Sequence, residues 1–162
     1  MKVRVLDHPY DQYQVILGRL MMVFAGVEEV VYDFLVKTSG VEPVIASAIF
    51  SGVRMAEAIG TIKKIHEARG VELSARLRQQ FQRLLDINRT RNQLAHYGVR
   101  RDRLGRDDRP PILSSARMAH VPSKLKETEM KPETVHRLVG ELEAIGVALW
   151  VHLHPEKFGQ EL

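Results

Sequence analysis

Seven residues near the start of the chain fall at alternating spacings of four and three: Tyr13, Leu17, Leu20, Phe24, Val27, Val31 and Phe34. At 3.6 residues per turn they form one continuous stripe. A stripe that long must be buried against other apolar surface, so the chain is expected to fold around this helix. The pattern predicts a helix from Pro9 to Lys37. Ile16, Val23 and Val30 widen the stripe, which implies neighbours on more than one side. Thr38-Ser39-Gly40 reads as its end, with Gly40 free to take positive φ.

Pro43 suits the first turn of a second helix, predicted to run to Gly70 with Ile45, Ile49, Ala56, Ile59 and Ile62 on one face. Ala48, Gly52, Ala56 and Gly60 recur every four residues. Mid-helix glycine costs ~1 kcal/mol relative to alanine, so this row suggests a close helix–helix or subunit approach. A third helix is predicted from Glu72 to Tyr97, closed by Gly98, with Leu77, Phe81 and Leu84 as its buried stripe. A last helix starts at Pro132-Glu133 and stops before Pro155, with Val135, Leu138, Val139, Leu142, Ile145 and Leu149 inward.

Residues 99–130 break the helical pattern. Five arginines (100, 101, 103, 106 and 109) mix with Asp102, Asp107 and Asp108, and Pro110-Pro111 follows. Val99–Arg103 and Ile112–Arg117 can pair as a hairpin across a turn containing Gly105. The predicted architecture is all-α: an antiparallel four-helix bundle forming one domain over 1–162. An irregular or hairpin insertion precedes the last long helix, and residues 155–162 form a frayed tail.

Composition narrows the functional classes. There is no cysteine, which removes disulfides, thiolate metal sites and a thiol nucleophile. No apolar run approaches the ~18 residues of a membrane span, and the N-terminus lacks a signal-peptide core. A cytoplasmic protein with no membrane partner is the expectation. The net charge of +4 permits nucleic acid as a partner without demanding it.

The chemistry concentrates in Arg89-Thr90-Arg91-Asn92-Gln93-Leu94-Ala95-His96-Tyr97. At ~100° per residue the stripe of Leu77, Phe81 and Leu84 continues through Asn88, Arg91, Asn92 and Ala95, so an apolar face becomes polar over its last turns. Buried polar groups without partners cost about 1–3 kcal/mol each, so a helix that only packed would avoid them. Asn92 and His96 lie about 40° apart, and Arg89 and His96 about 20° apart two turns removed. Arg91 and His96 are separated by roughly 140°, so only the reach of the arginine, or a partner chain's arginine across a two-fold axis, brings guanidinium and imidazole to one ligand. These groups suit RNA cleavage. Imidazole transfers protons near neutrality, guanidinium matches phosphoryl charge, and a carboxamide orients either the ring or the substrate. No metal and no cofactor is required, because the nucleophile is the substrate's own 2′-OH.

The run Arg91-Asn92-Gln93-Leu94-Ala95-His96, near the C-terminal end of a long helix in an all-helical chain, resembles the Arg-x4–6-His motif of the HEPN family. Many members are metal-independent ribonucleases. The likeness extends over the four-helix pattern, leaving out the tails and the 99–130 insertion. It implies a HEPN-like bundle that forms a homodimer with both motifs facing one cleft. Arg91 and His96 match the motif's fixed positions, and Asn92 its usual polar residue. Arg89 also satisfies the six-residue spacing, which leaves two arginines for one role. The implied activity is an endoribonuclease acting on RNA, with toxin or defence roles and an antitoxin or regulatory protein as partner. One departure bears on this. The toxin branch paired with a nucleotidyltransferase antitoxin carries Tyr two residues after the His, where this chain has Gly98 beside Tyr97.

The catalytic expectation is therefore Arg91, His96 and Asn92, with Arg89, Arg100 and Arg101 contacting substrate phosphates. The rival from another class is a non-catalytic helical dimerisation module, in which the same cluster is a polar seam fixing register. His152-x-His154 has metal-ligand types, but no suitably spaced carboxylate accompanies it. His66, His136, Lys63 and Lys64 read as surface or partly buried residues, and no Gly-rich phosphate loop is present.

Overall fold

A computed structural model of the chain describes residues 9–97, 99–100, 112–114, 127–129 and 131–157, with side chains over 12–95 and 131–157. Among these there are five α-helices: α1 (Pro9–Ser39), α2 (Pro43–Phe50), α3 (Met55–Ala68), α4 (Ala75–Tyr97) and α5 (Pro132–Leu153). Three short strands, β1 (Val99–Arg100), β2 (Ile112–Ser114) and β3 (Glu127–Glu129), lie between α4 and α5, and a 3-10 turn over Pro155–Lys157 follows α5. The fold is predominantly helical. No helix among the described residues is long and apolar enough to cross a membrane.

The residues group into two compact units. The first comprises Met1–Met22 with Ile87–Gly140, and the second Val23–Asp86 with Glu141–Leu162. By residue number α1, α4 and α5 each contribute to both.

The second unit holds most of the core. α1 supplies Phe24, Val27, Val31, Phe34 and Leu35; α3 supplies Met55, Ala58, Ile59 and Ile62. Leu77, Phe81 and Leu84 of α4 and Leu142, Ile145, Leu149 and Leu153 of α5 complete it. Phe34 and Phe81 meet edge to face, with centroids 5.5 Å apart and planes at 82°. α5 packs tightly on α1 at Gly146, where an added Cβ would stand 3.0 Å from Val27 Cγ2.

Cations held by other elements close two helix C-termini in this unit. Arg69 donates from Nη1 to the carbonyl of Thr38 at 2.7 Å and from Nη2 to that of Ser39 at 3.1 Å. Lys37 donates to the carbonyl of Leu153. Each satisfies last-turn carbonyls that have no partner within the helix. Gly40, at φ 70, ends α1 as its sequence indicates.

The expected second helix is two helices. Residues 51–54 form a turn in which Gly52 sits at φ 76, a left-handed conformation glycine enters without penalty. α3 then starts with the Arg54 N–H donating to the Glu57 carboxylate at 3.2 Å. The row Ala48, Gly52, Ala56, Gly60 is therefore not one helical face. Among the described residues, apart from each glycine's own chain neighbours and helix backbone, nothing lies within 4 Å of a Cβ built at Gly52 or Gly60, so neither marks a close approach there. Ile45 and Ile49 are exposed while Ile59 and Ile62 are buried.

The first unit buries Tyr13 and Leu20 of α1, Ile87 and Leu94 of α4, and Val135, Leu138 and Val139 of α5. Its strands form an antiparallel sheet ordered β1-β2-β3. The register pairs Val99 with Leu113 and Arg100 with Ile112, then Leu113 with Thr128. The hairpin pairing read from residues 99–103 and 112–117 is present at these positions. The third strand was not expected.

Tyr13 is 1% exposed, and its hydroxyl finds no hydrogen-bond partner among the described residues. Loss of hydration on burial pushes its pKa from 10 up to about 12. Because the folded value is the higher one, the unfolded chain releases this proton first as pH rises. The contribution is intact below pH 10 and disappears as pH climbs towards 12. Urea denaturation across this window should show wild type losing about 2–3 kcal/mol more than Tyr13→Phe. At neutral pH the variant should be the more stable by ~1 kcal/mol, since no orphaned hydroxyl remains.

Candidate functional site

α4 is continuous through the motif, so the helical spacing of its residues holds. Its buried face nevertheless shifts. Leu77, Phe81 and Leu84 are buried in the second unit, whereas Ile87 and Leu94 are the buried residues in the first. On an ideal helix the latter pair lies ~60–140° round from the former three. The original row continues into Asn88, Arg91 and Asn92, all half-buried, and then Ala95, which is exposed. That row thus turns polar over its last turns as the spacing indicates, while burial passes to another strip, that of Ile87 and Leu94, which the spacing did not indicate.

Arg91 and Asn92 are joined. Arg91 Nη1 donates to Asn92 Oδ1 at 2.9 Å, and the arginine Nε is buried. The sector of Asn92 also holds the backbone position of His96, one turn or ~6 Å further along the axis. Arg89 is exposed and falls in the same sector, about 160° from Arg91. Arg89 thus shares the sector of Asn92 and the His96 position, and Arg91 is tied to that sector through Asn92 Oδ1. His96 lies in α4, and its side chain is outside the described residues. Arg100 is paired through its backbone in β1, with its side chain outside the described residues, and Arg101 lies outside them entirely.

Charge divides sharply between the units. The first carries fifteen Lys and Arg against eight Asp and Glu, or +7; the second carries nine against twelve, or −3. The chain's modest +4 conceals this asymmetry.

The C-terminal histidines are engaged separately. His152 stacks on Phe34 with centroids 5.6 Å apart and planes 9° apart. His154 Nδ1 lies 3.2 Å from Glu156 Oε1 and its ring 5.1 Å from Trp150, while Lys157 Nζ sits 5.2 Å over the indole. A hydrogen bond from its own backbone N–H, aided by His154, holds the Glu156 carboxyl below the usual carboxylate range. Among the described residues no three His, Asp or Glu converge on a point that could hold a metal. Residues 155–157 form an ordered turn where fraying was expected.

Sequence reasoning passed over Asn88 as a site residue. It is half-buried one turn before Asn92, on the row leading into the motif, and its carboxamide in an otherwise apolar register was the available signal. Compared with family models, with curated proteins and with solved structures, the chain matches none of them.

Proposed function

We propose that this chain is a HEPN-type, metal-independent endoribonuclease. The observation that carries the reading is that the Arg91–Asn92 pair, Arg89 and the His96 position all lie in the unit with net charge +7, while the other unit is acidic. In the proposed reaction His96 accepts the proton of the substrate 2′-OH as that oxygen attacks the adjacent phosphorus. The bond from phosphorus to the 5′-oxygen breaks, and that oxygen takes up the proton carried by the His96 imidazolium, which restores the neutral ring. The products are a 2′,3′-cyclic phosphate and a free 5′-hydroxyl. Arg91 balances charge on the non-bridging oxygens through paired N–H donors. Asn92 holds the guanidinium by the bond described above and orients the ring or the substrate. Arg89, with Arg100 and Arg101, contacts flanking phosphates. A second copy brings a second motif to the cleft.

The test is cleavage of end-labelled RNA by the purified chain. Cleavage is expected to persist in chelator, to give cyclic phosphate ends, and to fail when the sugar at the cut site is 2′-deoxy. Affinity for RNA should fall with salt at a log–log slope of about −0.7 per phosphate neutralised. RNA that remains intact under these conditions would favour the other reading, a polar seam in a dimerisation module. The half-buried Arg91–Asn92 bond fits that role too.

A further inference from the structure

The second unit holds a cavity that shares no residue with the motif. It measures about 630 Å³, the size of a small-molecule site, and lies where α3, residues 69–74 and the start of α4 meet. α3 contributes Lys63, His66 and Glu67, the connection Val71 and Leu73, and α4 Arg78. Gly70, at φ 64, reverses the chain here. Both backbone polar groups of Val71 are tied to the end of α3. Its N–H donates to the His66 carbonyl at 3.0 Å, and its carbonyl accepts from His66 Nδ1 at 3.3 Å. A carbonyl only accepts, so Nδ1 carries the proton, and in the neutral ring Nε2 is an acceptor.

Opposite charges on this lining stand without partners. Lys63 is half-buried and Glu67 lies one turn further along α3, yet neither side chain makes an ion pair or hydrogen bond among the described residues. Lysine four residues before glutamate is the weaker order for a pair within a helix. Glu67 also stands in the last turn of α3, where the negative end of the helix favours a cation. On the α4 side Arg78 meets only Glu72 of the same lining, at 3.7 Å, with side chains 56% and 87% exposed. So loose a surface pair is worth little and is readily exchanged.

We propose that this cavity binds a free α-amino acid with an apolar side chain. The ligand's carboxylate bridges Lys63 and Arg78, whose guanidinium turns from Glu72 to the closer acceptor. Its ammonium donates to the Glu67 carboxylate and to His66 Nε2. Its side chain lies on Leu73, which is buried, and on Val71, which is 54% exposed. A ligand of one sign fits less well. The lining's two basic and two acidic side chains sum to zero, so a simple anion or amine is attracted by one pair and repelled by the other.

The inference rests on the second unit alone and stands whether or not the motif cuts RNA. Isothermal titration of the full chain with L-valine, L-leucine, L-methionine and L-phenylalanine tests it. At least one should bind at millimolar concentration or tighter. The N-acetyl form of the best binder lacks the ammonium, and its amide lacks the carboxylate. Each should bind ~10–100-fold more weakly than the free amino acid, the loss of a charge-assisted hydrogen bond. Glu67→Gln should shrink the preference over the N-acetyl form, and Lys63→Met the preference over the amide. Neither side chain is buried, so unchanged melting temperatures are expected of both variants. Binding of none of the four amino acids overturns the proposal. So does equal binding of a blocked form, or a Glu67→Gln chain that keeps the full wild-type preference.

Discussion

His96→Ala should reduce RNA cleavage by ~10²–10⁴-fold while leaving helix content and melting temperature at their wild-type values. The loss follows from the proton inventory: without the imidazole neither the attacking 2′-OH nor the leaving 5′-oxygen has a positioned partner. Arg91→Ala should also cripple cleavage, and it should do more to the fold. Removing the guanidinium withdraws the donor that Asn92 Oδ1 accepts at 2.9 Å in a half-buried setting, at a cost of ~1 kcal/mol. The two variants together separate enzyme from module. In an enzyme His96→Ala is inactive, folded and dimeric. In a structural seam it melts early or dissociates, and wild type leaves RNA whole. A folded His96→Ala that cuts as fast as wild type rules out the catalytic role of this residue.

Phe81→Ala should destabilise the second unit by about 3–5 kcal/mol. Phe81 is fully buried, and truncating it removes both the ring's apolar contacts and the edge-to-face pairing with Phe34. The effect should spread to α5, because Phe34 also stacks on His152. Chemical denaturation gives the total. Hydrogen exchange along α5 tests the spread: amides near His152 should lose protection in the variant, and unaltered protection there would show that the stack contributes little.

How much of this was legible beforehand depends on whether spacing and burial coincide. In α1 and α5 they do. Six of the seven stripe residues of α1 are buried, Leu17 being only half-buried, and all six of α5 are buried. In both helices the stripe stays buried although its residues pass from one unit to the other. The 43–70 segment misled because its isoleucines keep helical spacing across Gly52, although the two in α2 face solvent and the two in α3 face the core. Periodicity measures spacing, not which body of the protein a face meets. The better signal was local: Ser51-Gly52 as a turn, then Arg54 with Glu57 three residues on, the position from which an acid caps a helix start. In α4 the stripe was right through Leu84 and missed Ile87 and Leu94, because the buried side changes where one unit gives way to the other. As for the candidate site, residue types and spacing were readable. The Arg91–Asn92 bond was not, since it depends on the rotamers that two adjacent half-buried side chains adopt, and the division of charge was not, since it depends on where the units divide.

The division of the second unit into residues 23–86 and 141–162 has a consequence for biosynthesis. When Asp86 leaves the ribosome, Phe24, Val31, Phe34 and Phe81 have been made, but Leu142, Ile145 and Leu149, which share their core, have not. At ~5–20 residues per second the intervening segment delays them by roughly 3–11 seconds. During that interval a nascent chain presents an unfinished apolar surface, and the end of α1 has its Arg69 clasp while Lys37 waits for the Leu153 carbonyl. The vulnerable window for chaperone capture or aggregation therefore opens midway through translation and closes only when α5 emerges.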